Sequence, residues 1–127
     1  MPFIKTLLAK YKVVVSEQLL TLYHGTTLAS ANLLLKQGWK PNSHPSGANQ
    51  GQTKFLYLTN ELENAKWFSE QKGENIVLEV AVPKSSLLVD PEDGHGDTLD
   101  DELNSKLGLP GYVVCFKPLA ASNFKKM

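Results

Sequence analysis

The sequence predicts a single α+β domain in which short strands alternate with amphipathic helices. Three observations carry that reading. The chain has 127 residues, enough for one hydrophobic core and short of the usual length for two. Two apolar runs, Leu19 to His24 and Phe55 to Leu58, each pass through hydroxyl or amide residues into a stretch of helical periodicity. Further apolar runs at Ile76 to Val82 and Tyr112 to Phe116 supply more strands, and no repeat or linker divides them.

Taken in order, Pro2 to Lys10 reads as a helix, with Phe3, Ile4, Leu7 and Leu8 on one face. Lys12 to Val15 is β-branched and reads as a short strand or an extended lead-in, so 1–18 is an N-terminal helix and lead-in to the domain. Leu19 to His24 is the first core strand, with Leu20, Leu22 and His24 on one face and Leu19, Thr21 and Tyr23 on the other. Thr27 is placed to cap a helix from Leu28 to Gln37, and Gly38 to end it. Its buried stripe is Leu28, Ala31, Leu34 and Leu35. Asn42 to Lys54, rich in Ser, Gly, Asn and Gln, is a loop of a length often given to function. After the strand Phe55 to Leu58, Asn60 and Glu63 have capping-box spacing for a helix to Gln71. That helix buries Leu62, Ala65 and either Trp67 or Phe68. Ile76 to Val82 is a strand ended by Pro83, Ser86 to Val89 a short strand, and Leu99 to Leu107 a short helix.

Composition removes several function classes. Thirteen basic and thirteen acidic residues give zero formal charge, so no broad attraction to nucleic acid or membrane is expected. Every basic residue is a lysine, which rules out chemistry that needs a bidentate guanidinium clamp. Cys115 is the only cysteine and sits in an apolar strand, so neither a disulfide nor a thiol nucleophile is expected. Lysines interrupt the apolar N-terminus and no small-residue cleavage site follows. The expectation is therefore a protein without a signal peptide, cytoplasmic or delivered into a host cytoplasm. In the acidic loop from Asp90 to Asp97, the calcium-loop pattern puts Gly94 at a ligand position and His95 at the glycine position. A solvated turn is expected there, and no metal site.

The candidate functional residues are His24 and Tyr57. Each alone is as readily part of a core, but two strand ends lying side by side would bring both to one cleft. The Gly25-Thr26 that follows His24 lets a ligand approach the backbone and adds a hydroxyl beside a helix N-terminus. A neutral imidazole can orient a sugar hydroxyl, and a tyrosine can stack on a flat ring with its hydroxyl solvated.

These residues lie in an order that resembles the ADP-ribosyltransferase superfamily, in its His-Tyr-acid branch of diphtheria-toxin and poly(ADP-ribose) polymerase type. The matching pieces are Tyr23-His24-Gly25-Thr26, the helix ending at Gly38, Leu56-Tyr57-Leu58-Thr59 and the helix with Asn64-Ala65 and Trp67-Phe68. Val77-Leu78-Glu79-Val80 and the closing segment Tyr112 to Phe124 complete a likeness over residues 20–124. The resemblance implies two packed, twisted sheets with helices around them and NAD in the cleft. It implies that His24 holds the nicotinamide ribose, Gly25 meets the nicotinamide amide, and Tyr57 stacks on the ring. Tyr23, Thr26 and Phe68 complete the expected NAD site. The branch's third residue, usually a glutamate opening the late strand, falls here on Gly111 or Pro110. The nearest acids are Asp100, Asp101 and Glu102, so Asp101 or Glu102 is the expected replacement. The expected function is mono-ADP-ribosyl transfer from NAD to an acceptor, protein rather than nucleic acid. The alternatives are an inactive NAD- or ADP-ribose-binding module and a nucleic-acid-modifying relative of the same fold.

Overall fold

The computed structural model describes residues 18–42, 54–104 and 111–127. The expected elements at Pro2 to Lys10 and Lys12 to Val15, most of the Asn42 to Lys54 loop, and the end of the Leu99 to Leu107 helix lie outside them. In chain order the elements are β1 (Leu19–Thr26), α1 (Leu28–Gln37), β2 (Leu56–Thr59), α2 (Leu62–Glu70), β3 (Ile76–Pro83), β4 (Leu87–Val89), α3 (Leu99–Leu103), β5 (Tyr112–Cys115) and β6 (Phe124–Lys126). Short 3₁₀ turns precede β4 and β6.

Among the described residues six strands form one antiparallel sheet in the order β4-β5-β2-β1-β3-β6. The expectation of two packed sheets is thus corrected to one sheet with a weak middle. β1 pairs with β3 along its full length, from Leu19 opposite Pro83 to Thr26 opposite Ile76. β1 meets β2 in register only where Tyr23 faces Thr59. Beyond that pair the two strands part, leaving two three-stranded halves joined at a single point.

Side-chain alternation then sorts the sheet into two faces. Leu22 opposite Val80, and Leu58 opposite Val113, lie on the face that α1 covers with Ala31 and Leu34. Trp39 and Phe124 close this core. Thr27 Oγ1 accepts the Ser30 N–H at 3.2 Å as the N-cap of α1, and Gly38, at φ +76°, ends the helix by donating to the Leu34 carbonyl. Leu28, expected in the buried stripe, is 43% exposed, and buried Ser30 takes part in its place.

The other face is covered by α2. Its N-cap is Glu61, without a side-chain cap bond, so the expected Asn60–Glu63 capping box is absent. Asn60 instead ties two distant segments together, donating to the Leu103 carbonyl and accepting the Gly111 N–H, each at 2.8 Å. The buried residues of α2 are Ala65 and Ser69, while Trp67 stands 52% exposed. Ser69 donates to the Thr26 carbonyl and accepts the Ile76 N–H, both at 2.7 Å, stitching α2 to the ends of β1 and β3. The remaining contact of α2 with β1 is made possible by Gly25: a β-carbon there would fall onto the backbone carbonyl of Ala65. The expected reason for this glycine was ligand approach; its packing reason is helix approach. Gly25→Ala should therefore push α2 off the sheet and destabilise the fold by about 1–3 kcal/mol, read as a lower urea midpoint. An unchanged midpoint would mean that α2 moves aside without cost.

Candidate functional site

The parting of β1 and β2 leaves backbone groups that no ladder satisfies, and buried groups of that kind need partners. His24 supplies one. Its Nδ1 lies 2.8 Å from the Tyr57 carbonyl oxygen, which can only accept, so Nδ1 carries the proton and donates across the gap. The ring is thereby fixed as one tautomer at the point where the strands separate.

Beside this bridge lies a cleft of about 320 Å³, within the range of small-molecule sites. Its floor follows from the register. Tyr23 faces Thr59 and Thr59 faces Tyr112, so these three form one row across β1, β2 and β5, with Tyr57 in the next row of the same face. Phe68 of α2 overhangs the row, its ring edge-on to Tyr112 at 6.1 Å. Phe55 stands edge-on to Tyr57 at 6.3 Å. The cleft is thus walled by aromatic rings from four segments, with His24 and Gly25 at its β1 side.

No protein-family model matches this chain. No curated protein matches it in sequence either.

Of the expected site residues, Tyr23, His24, Gly25, Tyr57 and Phe68 line the one cleft. Thr26 does not; it is buried and its carbonyl is taken by Ser69. Asp101 and Glu102 are not brought there. Asp101 is exposed at the start of α3, where its N–H is held by the capping Thr98 side chain. Glu102 is sealed: its side chain is 0% exposed. One carboxylate oxygen accepts the N–H groups of His95 and Gly96, each at 2.6 Å. The other accepts the Tyr112 N–H at 2.9 Å and pairs with His95 Nδ1 at 2.7 Å. Four donors exhaust a carboxylate, so Glu102 is a structural anchor that fastens the acidic loop to the start of β5.

The acids that do line the cleft are Asp90, Glu92 and Asp93. The loop expected to be a solvated turn is built around a buried Asp90, 4% exposed. Asp90 Oδ1 accepts the N–H groups of Glu92 and Asp93 at 2.8 and 3.3 Å, and its carbonyl accepts that of Gly94. Desolvation raises the pKa of the Tyr57 phenol, and the charges of Glu92, Asp90 and Asp93 raise it further. Lys72, which follows α2, lines the cleft too, and partial desolvation lowers its pKa. These residues, with Tyr112, escaped the sequence reading because the β4–β5 pairing that carries the loop to Tyr57 leaves no local mark. The density of acids from Asp90 to Asp97 was the visible signal.

Cys115 is buried, and burial pushes its thiol pKa up, against a reactive role. Among the described residues no group of three or more His, Cys, Asp or Glu is placed to hold a metal ion, and no helix is long and apolar enough to cross a membrane.

For Glu102, burial by itself would raise the pKa, but the N–H groups of Tyr112, His95 and Gly96 and the His95 charge outweigh it and hold the carboxyl below the usual range. An amide in its place would turn N–H groups toward the donors at Tyr112 and His95. Glu102→Gln should lower stability by about 3 kcal/mol at neutral pH. A depressed folded-state pKa gives stability that is present above the unfolded value and lost as pH falls through the folded one. The gap between wild type and variant, followed by urea denaturation, should therefore close in acid. A gap constant with pH would mean that the carboxylate's charge is irrelevant to the anchor.

Proposed function

We propose that this protein is an NAD-dependent mono-ADP-ribosyltransferase whose donor site is the cleft between β1 and β2. The observation that supports this reading is the meeting of His24, Gly25, Tyr57 and Phe68 in one aromatic-walled cleft. The sequence resemblance implies His24, Gly25 and Tyr57 at the nicotinamide end of NAD, with Phe68 as a further residue of the NAD site. The cleft fits that end: its volume of about 320 Å³ takes a nicotinamide ring and its sugar, and Tyr57 and Phe68 offer faces to a flat ring.

Bound NAD would supply a glycosidic bond that breaks with its electron pair leaving on nicotinamide, while the acceptor's lone pair forms the new bond to the sugar and its proton passes to solvent. The protein's part is to hold the sugar in place and to exclude water. His24, fixed by its bond to the Tyr57 carbonyl, orients the sugar hydroxyls. Tyr57 and Phe68 hold the ring. The acceptor is a protein side chain in this reading.

A second reading, a binding module that does not turn NAD over, is favoured by one observation: neither Asp101 nor Glu102 reaches the cleft. Labelled NAD incubated with the protein in cell extract separates the two. Release of nicotinamide with label on macromolecules supports transfer. A rise in melting temperature with NAD but no release supports binding alone. Absence of both would overturn the NAD site. His24→Ala and Tyr57→Ala should each weaken NAD binding by roughly tenfold and lower the rate, since both are proposed to touch the bound donor.

A further inference from the structure

Tyr112 lines a second groove as well, of about 470 Å³, together with Glu61, Glu63, Asn64 and Trp67. Positions 63, 64 and 67 share one face of α2, and Glu61 stands at its start. Phe68 meets the Trp67 ring edge-on at 5.2 Å, so packing orients the indole while half of it stays in solvent. Around it the charge has one sign. The Glu61 carboxylate pairs with no described residue, and that of Glu63 meets only Lys66, at 3.2 Å on the surface. No cationic residue is among the described residues that line the groove. Its remaining polar side chain is Asn64. Asn64 Oδ1 accepts the Tyr112 hydroxyl at 3.3 Å, but its Nδ2 is buried and has no hydrogen-bond partner. Buried amide nitrogens are nearly always satisfied, so a donor left open in a groove points to an acceptor that arrives with a ligand.

Those features together define one occupant. An exposed indole beside carboxylates attracts a cation, and a phosphate backbone would be repelled, which sets nucleic acid aside. A planar guanidinium suits the place best, because it stacks on an aromatic face while its edge donates to carboxylates. The orphaned amide needs a carbonyl oxygen, and an arginine within a peptide brings both groups on one segment. We propose that this groove docks an arginine-bearing segment of a partner protein. The guanidinium lies against Trp67 and the carboxylates of Glu61 and Glu63, and a backbone carbonyl of the segment accepts from Asn64 Nδ2. The sequence holds no arginine of its own, so a second copy of the chain cannot supply the occupant. Tyr112 belongs to both linings, so a segment docked here lies beside the cleft. The inference rests on the proposed transfer only in naming that partner as the acceptor; the docking itself does not depend on NAD.

The test uses the full chain and two peptides of one shape, N-acetyl-glycyl-arginyl-glycinamide and its counterpart with neutral citrulline in place of arginine. Heteronuclear NMR titration reads Trp67 directly through its indole N–H, because the other tryptophan, Trp39, is buried. The arginine peptide should shift that signal and bind at least about threefold more tightly than the citrulline peptide, with the preference shrinking as salt is raised. In a double variant, Glu61→Gln with Glu63→Gln, the preference should fall to near parity. Both side chains are exposed and Glu61 makes no side-chain cap bond, so these isosteric changes leave the fold intact. Asn64→Ala should weaken both peptides alike, since the carbonyl contact does not depend on charge. Equal affinity for the two peptides, a Trp67 signal that does not move, or a preference unchanged in the double variant would overturn the docking. Labelled NAD in cell extract then separates this inference from the reading it deepens. Trp67→Ala should lower the label on macromolecules severalfold and leave nicotinamide release by the protein alone unchanged. Equal label from wild type and Trp67→Ala would overturn the groove's role toward the acceptor and leave the NAD reading standing. Neither release nor label from wild type, with the arginine peptide bound as expected, would overturn the proposed donor and uphold the docking.

Discussion

The hydrogen bond from His24 Nδ1 to the Tyr57 carbonyl is the interaction on which the rest of the site depends. A sheet whose central strands pair at only one position, Tyr23 opposite Thr59, would ordinarily zip further, because each unmade ladder bond leaves a donor and an acceptor to be satisfied elsewhere. Zipping would close the cleft. The imidazole occupies the gap, satisfies a carbonyl of β2, and so lets the sheet stay parted. The same bond fixes the ring's tautomer and orientation. One side chain thus accounts both for the existence of the cleft and for the presence of a preorganised group at its edge. Gly25 adds the complementary condition: without a side chain, it lets α2 close the cleft from above.

The second constraint is the buried carboxylate of Glu102, and it explains why the acidic loop sits where it does. The helix α3 offers three successive acids, Asp100, Asp101 and Glu102. Their fates differ by rotation about the helix. Leu99 and Leu103 pack against the core, and position 102 lies on their side at helical spacing. Asp100 and Asp101 fall outside; Asp100 pairs with Lys84 at 2.8 Å on the surface. The spacing that buries Glu102 was present in the sequence, but three acids at a helix start read equally well as a solvated N-terminus. What the spacing cannot convey is the set of donors waiting there, since Tyr112 N–H comes from ten residues later and His95 from seven earlier.

The same division separates what was legible from what was not. Elements governed by local rules were legible: α1 runs from Leu28 to Gln37 between Thr27 and Gly38 as their capping chemistry predicts. The strands were legible to within a residue or two, because apolar runs bounded by breakers are local too. The pairing of strands was not, and with it went the single-point junction of β1 with β2, the short β6, and the approach of Asp90 to Tyr57. The Asn60–Glu63 spacing misled for a related reason. Asn60 has the chemistry of a cap, but two partners distant in sequence, Leu103 and Gly111, claim its side chain first. His24 and Tyr57 were singled out because each belongs to an apolar run that passes into hydroxyl residues and a helix, and they meet because β1 and β2 are antiparallel neighbours.

A chain with zero formal charge can still hold a strongly polarised site, and here three acids, Asp90, Glu92 and Asp93, line one cleft with a single lysine, Lys72. Positive charge in the proposed reaction begins on the nicotinamide ring and moves to the sugar as the bond breaks. Carboxylates that face the ring stabilise the bound donor and the departing state unequally, favouring the former. Carboxylates that face the sugar act in the opposite sense and accelerate the chemistry. Asp90 is held in the turn by two N–H groups, so its carboxylate is fixed in position. Glu92 and Asp93 are exposed at the rim of the cleft. Asp90 is in addition inseparable from the fold of the loop, because the N–H groups it accepts are those of Glu92 and Asp93, which hold the turn.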